Sequence, residues 1–175
     1  IYEVVMPDKP AGFNGFFSVL SFKLLNTDTV DLRRKMDLET GGGYVKYYCD
    51  FILNKILAMP WIRRIVRILD YKLAGSSAFS GYFDKYNPTV VFLAHLFDDT
   101  EIKLLKEAKR RGVKTVGFIN SWDKLTARNI IRVLPDKLLV FNNIVKDEAV
   151  KHADMPENKI EIVGIPQYDW HINYK

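Results

Sequence analysis

Thr89-Val-Val-Phe-Leu-Ala-His95, followed by Asp98-Asp-Thr-Glu101 and, after Gly112, by a second apolar run over 113–119, decides the fold. The first run is short and rich in β-formers, as in strands buried on both faces of a parallel sheet. Asp98 or Asp99 supplies a helix N-cap, with an acid three residues on in a capping-box-like start. Ile102, Leu105 and Ala108 then recur at helical spacing, and Lys and Arg crowd the last turn. Gly112 stands where a left-handed C-terminal cap belongs. Working outward, Leu138-Leu-Val-Phe141 is the next strand, and Asn142 or Asn143 caps a helix through about Asp154. Met155-Pro-Glu-Asn158 is a turn and Ile160-Glu-Ile-Val-Gly164 the last strand. This alternation predicts an α/β, Rossmann-like three-layer domain with a mostly parallel sheet and right-handed crossovers.

The N-terminal half reads differently. Ile1-Tyr-Glu-Val-Val-Met6 is strand-like, and Pro7 to Gly43 shows turn residues with apolar patches at Phe13, Phe16, Phe17, Leu20 and Phe22. Gly41-Gly-Gly43 is a break. From Tyr44 to Leu73 the pattern is helical, interrupted at Pro60, which suits the first turn of a second helix. Ser76 or Ser77 starts a short helix toward Tyr86, ended by Asn87-Pro88. The segment 44–86 is therefore a helical insertion. An opening inside a strand and a close on Trp170–Lys175 without a cap point to a fragment of a longer polypeptide.

The 175 residues suffice for one domain, and 48% apolar with 27% charged residues is ordinary for a globular protein. No run approaches the roughly 18 apolar residues of a membrane-spanning helix, and no secretory signal is visible. The single cysteine, Cys49, excludes an intrachain disulfide; its apolar surroundings predict a packed thiol and a cytoplasmic compartment. Charge is uneven. Lys46, Lys55, Arg63, Arg64, Arg67 and Lys72 face only Asp50 and Asp70 within 44–73, a net +4 out of the chain's +5. Basic groups among aromatic and aliphatic ones mark Arg63, Arg64 and Arg67 for an anionic membrane surface, or for the solvated face of helices packed on the sheet. No recognition motif accompanies the charge, so nucleic acid is not expected.

The chemistry-bearing residues gather after strands. His95 is suited to general-base work or to polarising a sugar hydroxyl, or else to bonding backbone at a strand end. Of Asp98 and Asp99, one caps the helix and the other is free to face a crevice. In Asn120-Ser-Trp-Asp-Lys-Leu-Thr126 the hydroxyls of Ser121 and Thr126 and the Asp123 carboxylate suit sugar hydroxyls, and Trp122 offers a stacking face. Asp123 alternatively caps a helix to Val133, on which Lys124, Arg128 and Arg132 form one ridge that can hold phosphate. Gln167 and Asp169 follow the last strand, beyond Gly164 and the stiff exit at Pro166. No G-x-G-x-x-G, Walker motif, G-x-S-x-G elbow or Cys/His metal spacing occurs. His152 and His171 read as structural or exposed, and no metal or cofactor is expected.

Asn120–Thr126, then Leu134-Pro-Asp-Lys-Leu-Leu-Val-Phe-Asn142, Lys146-Asp-Glu-Ala-Val-Lys-His152 and Pro156–Asp169 resemble, in order and spacing, bacterial surface-carbohydrate proteins of the GT-B type. The likeness spans roughly residues 88–170 and extends to the non-hydrolysing UDP-N-acetylglucosamine 2-epimerases. It implies a Rossmann-like acceptor-side domain over 1–170, with 171–175 leaving toward a second domain that holds the nucleotide-sugar donor. The epimerases carry an acid soon after the strand ending at Asn120-Ser121, where only Asp123 is near. Their His-Gly-Asp is stretched here to His95-Leu-Phe-Asp98, which favours glycosyl transfer. On that resemblance His95 or Asp123 is the base, Asp98 assists, and Ser121, Trp122, Thr126, Asn142 and Gln167 shape the site for a carbohydrate or lipid-linked acceptor. A UDP-sugar epimerase and a non-enzymatic flavodoxin-like binding module are the alternatives.

Overall fold

The computed structural model describes residues 12–75, 77–165 and 168–169. Four strands, β1 (Val90–Leu93), β2 (Lys114–Phe118), β3 (Lys137–Val140) and β4 (Ile160–Ile162), form an all-parallel sheet in chain order. Helix α6 (Asp99–Arg110) connects β1 to β2, the short α7 (Lys124–Ala127) lies between β2 and β3, and α8 (Asn143–Ala153) connects β3 to β4. The result is the expected Rossmann-like α/β domain. The C-terminal end of α6 is a Schellman motif: Gly112 adopts φ +69°, its N–H reaches Lys109 O, and the Val113 N–H donates to Ala108 O at 2.9 Å.

Register explains the core. Val91 pairs with Thr115, Gly117 with Leu138, and Leu138 with Ile160, so these residues share one sheet face. That face is buried beneath Phe83 of α5 (Ser80–Tyr86), Ile102 and Leu105 of α6, and Val145 and Ala149 of α8. At Gly117 an added Cβ would meet the Leu96 side chain at 2.6 Å, so glycine lets the chain after β1 lie against β2. The opposite face carries Val90, Phe92, Val116, Phe118 and Leu139. Here burial on both sides fails: Val90 is 54% and Phe92 57% exposed.

Residues 7–43, expected to be turns and patches, contain two helices among the described residues: α1 (Gly12–Lys23) and α2 (Asp28–Glu39). α1 is poor in strong helix formers and is held by tertiary contacts of Phe17 and Leu20. α2 buries none of its own residues, so it has no inward apolar stripe to read; its signal is the Thr27 cap with Asp28 and Asp31 in the first turn. The 44–73 pattern resolves into α3 (Tyr44–Leu57) and α4 (Pro60–Leu73), with Pro60 in the first turn as expected. Helices α1 to α4 pack on one another and on α6, α7 and α8, rather than on the strands. The strand-like Ile1–Met6, Ser76, Gln167 and His171 lie outside the described residues.

Candidate functional site

Parallel strands place the segments after β1, β2 and β3 on one carboxyl edge, where open α/β sheets bind ligands. The first two segments touch: Lys124 Nζ lies 3.4 Å from His95 Nε2. When the Lys124 ammonium donates there, the imidazole hydrogen resides on Nδ1, a buried atom with no hydrogen-bond partner. The backbone of His95 is fixed separately, since its N–H donates to Glu101 Oε2 at 2.7 Å. Burial pushes the Glu101 carboxyl above its ordinary range, and the bond from His95 only partly offsets this. Glu101 thus holds the histidine loop onto α6, a role its first-turn position concealed.

After β2, Ser121 Oγ donates to Asp123 Oδ1, leaving Asp123 Oδ2 without a partner among the described residues. Trp122 beside it is 75% exposed and presents an indole at the rim. Thr126 turns away: its hydroxyl donates to Asp123 O, and its carbonyl accepts from Thr27 Oγ1 at 2.6 Å. The rim therefore gathers His95, Ser121, Trp122, Asp123 and Lys124. A partly exposed carboxylate, an imidazole and an aromatic face together can bind a hydroxylated ligand and accept a proton from it.

Geometry gives several of the candidate residues a structural partner. Asp98 is the N-cap of α6, as one of the two acids was expected to be, its Oδ1 accepting from the Thr100 and Glu101 N–H groups. Asp99 is no free crevice acid, being bound by Arg132 and Ser18. Asn142 caps α8 by accepting from the Val145 N–H at 3.0 Å. The helix expected to run to Val133 stops at Ala127, because the buried Asn129 reaches Ser21 and Arg132 reaches Asp70. Lys124, Arg128 and Arg132 therefore share no ridge.

The basic segment is also reversed from expectation. Arg63 and Arg67 point inward, where both bind Asp154 and the carbonyls ending α8, and Arg67 Nε donates to Ile131 O. They cannot meet a membrane; Arg64 alone of the three is exposed. Cys49, expected to be packed, is exposed as well.

An open cleft of about 740 Å³ lies between the N-terminal end of α2 and the α7–α8 surface. Its lining includes Thr126, Asp28, Asp147, Glu148, Lys151 and His152, but none of His95, Ser121, Trp122 or Asp123. Burial raises the Glu148 carboxyl and lowers the His152 imidazole, which Lys151 and Arg63 lower further. Reading His152 as structural or exposed missed this cleft, since its walls come from segments far apart in the chain.

Among the described residues no group of three or more His, Cys, Asp or Glu side chains is placed to hold a metal ion. No helix among them is long and apolar enough to cross a membrane. The fold and rim define an α/β domain with a polar carboxyl-edge site. The chain matches no protein-family model, no curated protein and no solved structure.

Proposed function

We propose that this chain is the acceptor-side domain of a GT-B-type glycosyltransferase, with the nucleotide-sugar donor held mainly by a second domain. One observation carries the reading: the His95–Lys124 contact joins the ends of β1 and β2 beside the Ser121–Asp123 pair and the exposed Trp122. Trp122 stacks on the acceptor's sugar ring, and Ser121 orients Asp123. Asp123 Oδ2 takes the proton of an acceptor hydroxyl, or His95 Nε2 does once Lys124 Nζ releases that nitrogen. The hydroxyl oxygen bonds to the anomeric carbon as the nucleoside diphosphate departs with the electrons of the broken C–O bond. Asp98 and Asn142 serve the fold and not the reaction.

The test is a ¹⁵N NMR titration of the chain with simple glycosides, paired with turnover by the full-length protein. Shifts confined to the Trp122 indole, Ser121, Asp123 and His95 support the reading, as does a loss of about 10²-fold or more in Asp123→Asn or His95→Ala. Shifts confined to the Thr126–His152 cleft would overturn it. Turnover of UDP-sugar without any acceptor would replace it by the epimerase reading.

A further inference from the structure

Helices α3 and α4 pack Leu57, Ile62 and Val66 against the body yet leave an apolar stripe facing outward. On α4 the residues facing the body are Arg63, Arg67 and Asp70, flanked by Ile62 and Val66, and the opposite stripe is Trp61, Ile65, Ile68 and Lys72. On α3 the inward residue is Asn54, whose amide donates to Lys23 O and Leu25 O at 2.8 Å. Its outward stripe is Val45, Cys49, Ile52 and Ile56, with the same spacing of 4, 3 and 4 residues found on α4. Val45 is 79% and Trp61 60% exposed, and the neighbouring α1 adds exposed Phe13, Phe16 and Val19. Helix α1 contacts both α3 and α4, and a monomer rarely leaves so much apolar surface on adjoining helices in water without a partner for it.

Charge selects the partner. Asp50 and Asp70 are the only acidic residues in α1, α3 and α4; Asp50 is bound by Lys23, and Asp70 is buried against Lys106 and Arg132. Arg64 and Lys72 are exposed and form no ion pair with the described residues; Lys46 lies near Asp37, and Lys55 faces the acid-lined cleft beside α2. The face thus offers aromatic and aliphatic side chains with the cations Arg64 and Lys72 unopposed and Lys46 at its edge. A second copy of this face would bring like charges together, whereas an anionic interface meets both features.

We propose that the outward faces of α3 and α4, with α1 beside them, dock on an anionic lipid surface. The helices lie in the plane of the interface with Trp61, Ile65, Ile52 and Ile56 among the headgroups and upper acyl chains. Arg64 and Lys72, with Lys46 at the edge, contact lipid phosphates. The inference is independent of the sugar-handling proposal, because none of these residues belongs to the carboxyl rim.

Cys49, the chain's single cysteine, lies within the α3 stripe and serves as the reporter. The chain labelled there with an environment-sensitive fluorophore is mixed with phosphatidylcholine vesicles, with and without phosphatidylglycerol. The expected result is a blue shift and co-sedimentation with the anionic vesicles, both weakened by salt. Partitioning should fall about fivefold for each basic residue neutralised among Lys46, Arg64 and Lys72. Ile52→Glu with Ile65→Glu should abolish it while leaving the circular dichroism of these surface variants unchanged. A blue shift that grows with protein concentration in the absence of vesicles would assign the face to a second copy and overturn the proposal. So would an unshifted label with both vesicles, a reading on the wild-type chain that needs no variant to fold.

Discussion

Lys106 Nζ lies 2.6 Å from Asp70 Oδ1, and both side chains are buried where α4 crosses α6. The lysine also donates to the Asp70 and Ala74 carbonyls, and Arg132 grips the same carboxylate through Nε and Nη2. Arg132 continues to Asp99 of α6 and Asn14 of α1. One carboxylate therefore ties the outer helices to the sheet domain. Asp70→Asn should cost about 3–5 kcal/mol in urea denaturation, since two buried cations lose their shared anion. Lys106→Met should cost less, because Asp70 keeps Arg132. A cost below about 1 kcal/mol for Asp70→Asn would mean that this network does not hold the layers together.

Glu101 predicts a pH dependence with a definite sign. Its folded pKa is raised by burial, against the weaker pull of the His95 N–H. A carboxyl raised on folding binds more protons in the folded chain, so its contribution is full below the unfolded value of about 4.3. That contribution is lost as pH rises through the folded pKa. Glu101→Gln retains an acceptor for His95 and should flatten the stability profile above that lower bound, as measured by denaturation across pH. An unchanged profile would show that Glu101 ionises as freely in the folded state as in the unfolded one.

The readable half of the sequence was the half governed by local rules. Capping acids, Gly112 and alternating apolar runs placed β1, α6, β2, β3, α8 and β4 near their observed bounds, because each signal lies within a few residues of its effect. Long-range interactions hid the rest. Arg63 and Arg67 read as a solvated or membrane-facing charge run, and Asp154 with the carbonyls ending α8, about ninety residues on, turns them inward. Arg132 read as part of a helical ridge until Asp70 and Asp99 claimed it. At the rim, His95 and Asp123 were legible as strand-end residues. The Lys124 and Glu101 contacts were not, since a turn's direction decides what a side chain meets.

The two caps separate structural from chemical roles. Asp98 accepts from two N–H groups at the positive end of α6, and Asn142 accepts from one on α8. Alanine at either position should cost about 1 kcal/mol, with Asp98→Ala the larger because its charge also meets the helix dipole. Asp98→Asn keeps an acceptor and should stay within a few tenths of a kcal/mol of wild type. Turnover by full-length Asp98→Asn should likewise remain within several-fold. A collapse of turnover at unchanged stability would return Asp98 to the reaction.

Asp154 carries two burdens that substitution can separate. It adopts φ +55° at the C-terminal end of α8, a left-handed conformation that Asn and Gly tolerate better than Ala. Its carboxylate also anchors the inward Arg63 and Arg67 of α4. Asp154→Asn keeps the backbone preference but removes the anion, and with the site about a quarter exposed its cost should be about 2–3 kcal/mol. Asp154→Gly should fall close to it, because relief of the positive φ does not replace the lost charge. Asp154→Ala should be the least stable of the three by roughly a further 1 kcal/mol. Thermal denaturation of the series would show this order if the anchor on α4 dominates. Should glycine instead match wild type, the backbone conformation would be the greater term and the arginines would be held by the carbonyls ending α8 alone.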